Sequence, residues 1–200
     1  MSTLMLTGNS TFRLNSATYG GGIYVEHDTL MTFNGNSIFR KNSAVSRGYG
    51  GGIYTRNSIL NFMRSSTFGS NSAARSGGGI HSISSILDFN GNSTFRSNSA
   101  DRGGGIMAQN STLYFSGSSL FGNNSAAHYG GGIRSVSSIL NFNGSSIIRN
   151  NAAYYGGGIY AYLNSTLNFS GNVTFENNSA AHYGGGIDVV YNTLMNFNWW

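Results

Sequence analysis

The sequence predicts an all-β fold: a right-handed parallel β-helix, or β-solenoid, of about seven coils with three short strands per coil. Three observations carry this. A Gly-Gly-Gly-Ile tetrapeptide begins at Gly20, Gly50, Gly77, Gly103, Gly130, Gly156 and Gly184, at spacings of 30, 27, 26, 27, 26 and 28 residues. An aromatic-x-x-Asn motif precedes six of the seven copies, as in Phe68-Gly-Ser-Asn71 and Phe95-Arg-Ser-Asn98. Between these motifs lie short segments in which apolar and small polar residues alternate. Self-similarity at a fixed period of this size marks a solenoid or an array. Propeller blades are longer, at about 40 residues or more.

The third copy shows the elements in order. Leu60-Asn61-Phe62 alternates with period two, which is a strand signal. Ser66-Thr67-Phe68 does the same, with Ser66 and Phe68 on one face. Ile80-His81-Ser82 follows the glycines and supplies a third segment. These pieces are too short for amphipathic helices, and a triple Gly opposes helix. Stacking the copies gives three inward columns. The first runs Phe33, Phe62, Phe89, Phe115, Phe142, Phe169 and Phe197. The second runs Phe12, Phe39, Phe68, Phe95, Phe121, Ile148 and Phe175. The third runs Ile23, Ile53, Ile80, Ile106, Ile133, Ile159 and Ile187. Coils in register place like on like about 4.8 Å apart, and each coil needs its neighbours to bury its inward face. Parallel crossovers favour the right-handed turn.

Corner residues complete the coil. Asn15, Asn42, Asn71, Asn98, Asn124, Asn151 and Asn178 form a column with no exception. Asn at a tight corner hydrogen-bonds nearby backbone and tolerates left-handed angles, so the column reads as a structural Asn ladder. The glycines relieve crowding where the chain enters the third segment, and Gly takes positive φ readily. They open a strand rather than a helix and have no P-loop Lys, which argues against a phosphate cradle.

Composition narrows the function classes. Charged residues make up 8% of the chain, apolar residues 39%, and there are 13 Phe and 12 Tyr, so a core can be built. The formal charge is +5, but the basic residues are spread over different coils, among them Arg13, Arg40, Arg64, Arg102 and Arg149. A nucleic-acid footprint is denser, and none is expected. Without Cys there are no disulfides or thiolate metal sites. No apolar run reaches the length of a membrane-spanning helix, so no membrane insertion is expected. The opening residues, 1–6, lack the basic and long apolar regions of a signal peptide. Either export is signalled elsewhere or the chain is a piece of a longer one.

Gly-Gly-x-Ile paired with Phe-x-x-Asn resembles the repeat region of the chlamydial polymorphic outer membrane proteins, which carry Gly-Gly-Ala-Ile and Phe-x-x-Asn in many copies. The resemblance spans essentially the whole chain. Gly stands here in place of that Ala, and Ile148-Arg-Asn-Asn151 departs from the second motif. The resemblance implies an autotransporter-passenger-like β-helix, placed on the cell surface and linked to adhesion.

No catalytic, cofactor or metal site is read. The acids Glu26, Asp28, Asp88, Asp101, Glu176 and Asp188 sit at different repeat positions, apart from the loop Glu26-His27-Asp28. Polysaccharide cleavage by paired carboxylates needs them grouped. His128 and His182 share a repeat position two coils apart, about 10 Å, too far to share a metal. Tyrosine is the surface feature that remains. Tyr19, Tyr49, Tyr129, Tyr155 and Tyr183 precede the triple Gly, and Tyr24, Tyr54 and Tyr160 follow the Ile. Of these, Tyr49, Tyr129, Tyr155 and Tyr183 are the candidate surface-binding aromatics, which can stack on sugar rings or a partner's side chains. Acceptor sequons for N-glycosylation stand at Asn9, Asn92, Asn110, Asn123, Asn143, Asn164, Asn168, Asn172 and Asn177.

The expected product is one solenoid domain over 1–200, extracellular or on the cell surface, structural rather than enzymatic. Its ends read as uncapped: Leu4-Met-Leu6 opens in the first-strand pattern, and Met195-Asn-Phe197 closes in it before Asn198-Trp199-Trp200. Unpaired end coils are templates for further pairing. The expected partner is therefore another copy, stacked head to tail into a fibre, or the rest of a longer stalk. The alternative is an adhesin-like module that recognises glycans or a partner surface through its tyrosines.

Overall fold

The computed structural model describes residues 2–197. Asn198, Trp199 and Trp200, invoked above for the chain's closing end, lie outside them. The described residues form 29 strands in four parallel sheets, one of eight strands and three of seven, and no helix. Strands pair with their counterparts one coil away, in register in the first, second and fourth sheets and with bulge-like shifts in the third, as between Ala100 and Arg102. In the second sheet, for example, Phe68 pairs with Phe95 and Phe95 with Phe121.

Four strands per coil replace the three that the sequence predicts. One coil reads Ile86–Phe89, Ser93–Arg96, Ser99–Arg102 and Ile106–Gln109. The additional strand belongs to the third sheet and begins directly after the ladder Asn. It carries Ser and Ala where the other strands carry Phe, Leu or Ile, and no third-sheet residue joins the contiguous apolar core. The Ile strands form the fourth sheet.

The core consists of stacked columns. Phe68, Phe95 and Phe121 lie nearly parallel, with ring centroids 4.7 and 4.8 Å apart. The first-sheet column, including Phe62 and Phe89 at 4.8 Å, meets it edge-on, as where Phe89 stands 5.8 Å from Phe95 at 83°. Stacks along the axis and edges across it are the two favourable aromatic geometries. Ile80, Ile106 and Ile133 line the opposite wall, and Leu60, Leu87 and Leu113 fill the space beside the Phe column, all fully buried.

Each corner has a physical cause. At the Asn corner, Asn98 Nδ2 donates to Phe68 O (2.9 Å) and to Asn124 Oδ1 (3.0 Å). Its Oδ1 accepts from Asn71 N (3.0 Å) and Asn71 Nδ2 (3.1 Å). The left-handed residue at this corner is the one before the ladder Asn, as at Ser97 (φ 54°), and not the Asn itself. At the glycine corner Gly103 has φ +63°, and a Cβ on Gly104 would lie 2.3 Å from Ser125 O. The third strand of the next coil thus rests backbone on backbone against the middle Gly, and any larger residue would separate them.

A second polar ladder, not singled out in the sequence, occupies the corner between the fourth and first sheets. Ser58, Ser85, Ser111, Ser138 and Ser165 are all buried. The Ser85 N–H donates to Ser111 Oγ (3.2 Å), and the Ser111 N–H to Ser138 Oγ (3.0 Å). Each hydroxyl also returns to its own turn, as from Ser111 Oγ to Gln109 O at 2.9 Å. Backbone groups at both corners are thus satisfied by side chains of the adjacent coil.

Candidate functional site: an aromatic groove between two sheets

The triple Gly turns the chain so that the outward faces of the third and fourth sheets look at one another across a groove parallel to the solenoid axis. The third-sheet wall is the residue before the glycines, in register Tyr19, Tyr49, Ser76, Arg102, Tyr129, Tyr155 and Tyr183. The fourth-sheet wall is the residue after the Ile, in register Tyr24, Tyr54, His81, Met107, Arg134, Tyr160 and Asp188. Tyr54, His81, Met107 and Tyr160 point away from the core yet are only 3–8% exposed. That burial is what a facing wall produces.

The tyrosines are arranged as two stacks. At one end Tyr19 lies parallel to Tyr49 (5.6 Å, 8°) and Tyr24 parallel to Tyr54 (5.3 Å, 4°), and Tyr19 meets Tyr54 edge-on across the groove (5.3 Å). At the other end Tyr129 stacks on Tyr155 (5.4 Å) and tilts against Tyr160 (4.8 Å). Ring faces in these stacks are taken up by neighbouring rings, so the groove presents ring edges and hydroxyls. Cavities of about 280 and 340 Å³ open at the two stacks. Tyr162 and Tyr191 line the second one. They extend the tyrosine set beyond the two positions flanking the glycines and meet edge-on (5.1 Å, 71°), although Tyr162 is in register with Val190 and Tyr191 follows that strand.

Of the four candidate surface aromatics, Tyr49, Tyr129 and Tyr155 are half-buried groove residues and Tyr183 is exposed. Burial raises the phenol pKa of Tyr155, and raises that of Tyr160 to about 12. Both stay protonated donors at neutral pH.

His81 lies on the groove floor, 3% exposed, between Tyr49 (5.0 Å) and Tyr54 (5.6 Å). Neither ring nitrogen has a hydrogen-bond partner among the described residues. Desolvation, helped by Arg134, pushes its pKa down to about 3, so it is neutral at physiological pH.

The other candidates fall elsewhere. The acids are dispersed. Glu26 contacts Tyr24 and pairs with Arg56 (3.3 Å), and the Tyr24 hydrogen bond holds its carboxyl below the ordinary range. Asp88 sits on the outer face of the first sheet between Asn61 and Tyr114. Glu176 is in register with Arg149. Asp101 contacts His128 and approaches Arg102 at 3.3 Å. His182 packs on Tyr154 (4.9 Å) rather than facing His128. Among the described residues no group of three or more metal-type ligands comes together. The basic residues are more ordered than their sequence positions indicate, because Arg13, Arg40, Arg96 and Arg149 share one outward column of the second sheet, interrupted by Gly69 and Gly122. Eight of the nine sequon asparagines are exposed; Asn168 is half-buried, its amide engaged with Asn141 and Asn196 at 2.8 Å each.

Fold and groove together define a parallel β-solenoid with an aromatic cleft along one side. Two of its segments, residues 65–83 and 172–189, match the model of the Chlamydia polymorphic membrane protein repeat. Each matched segment runs from the second strand through the Asn and glycine corners into the fourth strand, which are the parts that carry the resemblance in the sequence. No curated protein and no solved structure matches the chain significantly.

Proposed function

We propose that the protein is a surface-displayed, adhesin-like solenoid that binds an extended glycan or partner surface in its tyrosine groove. The observation that carries this is the pair of facing tyrosine stacks. Outward positions of a solenoid have no need to be aromatic for the core's sake, yet here tyrosines line both walls of the cleft at each of its ends. The repeat match supports placement at a cell surface. The test is binding to a glycan array by the chain and by a Tyr49→Phe/Tyr155→Phe/Tyr162→Phe variant, which keeps the stacks and removes three hydroxyls. At about 1 kcal/mol per hydrogen bond, affinity should fall at least about tenfold. An unchanged array signal would remove the groove from the binding surface.

A second reading rests on the end faces. Among the described residues, strand Ser2–Leu6 pairs only with Thr29–Phe33, and Leu194–Phe197 only with Thr166–Phe169. Leu4 is 49% exposed and Phe197 42%. These edges suit a further coil, and a second copy stacked head to tail would supply one without closing on itself. Sedimentation and electron microscopy of the 200-residue chain should show filaments with an axial repeat of about 38 Å, eight strand spacings of the first sheet. A monomer that persists at high concentration would dismiss this reading.

A further inference from the structure

The two tyrosine stacks do not meet. Between Tyr49 and Tyr129 the third-sheet wall carries Ser76 and Arg102, a break spanning three coil spacings, about 14 Å. Guanidinium groups cap both sides of it. Arg75 lies over the Tyr49 ring at 5.6 Å and Arg134 over the Tyr129 ring at 5.1 Å. Neither has a carboxylate within 4 Å among the described residues, whereas Arg102 stands 3.3 Å from Asp101. Arg134 Nη1 reaches only the Met107 sulfur, at 3.6 Å. The Nε of Arg134 is buried without a hydrogen-bond partner among the described residues, as are both nitrogens of His81 on the floor beside the break, whereas the buried Nε of Arg102 faces the Asp101 carboxylate. Burying a guanidinium donor unpaired, as at Arg134, is unfavourable, and the like charge of Arg102 adds to that cost.

We propose that this break binds an oxyanion borne on a sugar ring, so that the groove holds an acidic polysaccharide along the solenoid axis. The proposal rests on the groove being the binding face. A carboxylate or sulfate matches the planar fork of arginine and complements the uncompensated charge of Arg75 and Arg134. On either side, tyrosine rings recur at 5.3–5.7 Å along the groove, close to the length of one pyranose ring, and their hydroxyls can meet sugar hydroxyls as donors and acceptors. An acidic peptide fits less well. Extended peptides dock by adding to a free sheet edge, but this groove crosses the strands, whose backbone groups already pair between coils.

The test uses the full chain and four probes: a heparin oligosaccharide, an oligogalacturonate, neutral dextran and polyglutamate. Oligogalacturonate carries carboxylate alone and heparin carries sulfate as well, so their comparison shows whether carboxylate suffices. At least one should bind, about tenfold or more tighter than dextran and polyglutamate, and more weakly as salt rises. Arg75→Gln/Arg134→Gln should lower that affinity at least about tenfold. Arg40→Gln/Arg96→Gln removes the same charge from the second sheet and should change it less than about twofold. Equal loss in both variants, or polyglutamate binding as well as the glycans, would reduce the effect to general polyanion attraction and overturn the proposal. Dextran binding as tightly, insensitive to Arg75→Gln/Arg134→Gln but lost in the tyrosine-to-phenylalanine variant, would overturn the anion site and leave the groove reading standing. No binding of any glycan would end both.

Discussion

Phe95→Ala is expected to destabilise the solenoid by about 3–5 kcal/mol, the range for truncating a fully buried Phe. Phe95 is 0% exposed and stacks at 4.7 Å on Phe68 and 4.8 Å on Phe121, with Phe89 edge-on at 5.8 Å. The substitution opens a cavity in the middle of a column, where coils on both sides are fixed by backbone pairing and cannot collapse into it. Thr94→Ala in the same strand should cost about 0.5 kcal/mol or less, because Thr94 faces outward and is half-buried. Phe95→Ile should fall between them, since Ile148 already occupies the equivalent place beside Phe121. Denaturant titration of the three variants measures the order. Equal effects of Phe95→Ala and Thr94→Ala would mean that the strand's two faces do not differ as described.

That the Phe, Leu and Ile columns were readable follows from contrast: a large apolar residue every second position, repeated at one period, has no other economical explanation. The third sheet lacked that contrast. In Ser72–Ala73 or Ser125–Tyr129 both alternating positions begin with small residues, so period two leaves no trace. What places a strand there is the backbone contact with the glycine corner, as at Gly104 against Ser125 O. The serine ladder was hidden for a related reason. Ser is so common in this chain that a buried column such as Ser85, Ser111 and Ser138 does not stand out from exposed Ser nearby.

The candidate site was half legible. Tyrosines on both sides of the triple Gly are visible as columns in the sequence, but whether they diverge or converge depends on the sense of the turn at Gly20 and its equivalents. Once that turn makes the corner concave, the interruptions matter as much as the tyrosines. Ser76, Arg102, His81 and Arg134 look like lapses in a repeat, and the structure assembles them at one place. Arg75 reaches the same place from a position outside either column.

Asn98→Ala is expected to match the Phe95 truncation, at about 3–5 kcal/mol, through polar rather than apolar loss. Asn98 is 0% exposed, and its amide makes four hydrogen bonds of 2.9–3.1 Å. Its removal leaves the Asn71 N–H without its partner in a dry corner, an orphan that costs about 1–3 kcal/mol, and forfeits three further hydrogen bonds at about 1 kcal/mol each, while Phe68 O keeps its ladder bond from the next coil. Asn71 Nδ2 keeps Phe39 O and Asn124 Oδ1 keeps the Asn98 N–H, so the damage is local to one corner. Asn15→Ala provides the comparison. Asn15 is exposed, and its side chain makes a single bond, to Asn42 Oδ1 at 3.0 Å, so the loss there should stay below about 1 kcal/mol. Asn98→Asp separates donors from acceptors. It keeps the two bonds accepted from Asn71 but turns two donors toward Phe68 O and Asn124 Oδ1 into acceptors. Protonation restores one donor, so this variant should become more stable relative to the parent as pH falls, while Asn98→Ala shows no such trend. Denaturant titrations of the three variants at neutral and acidic pH give the answer. If Asn98→Ala and Asn15→Ala cost the same, the amide ladder is not what holds the corner.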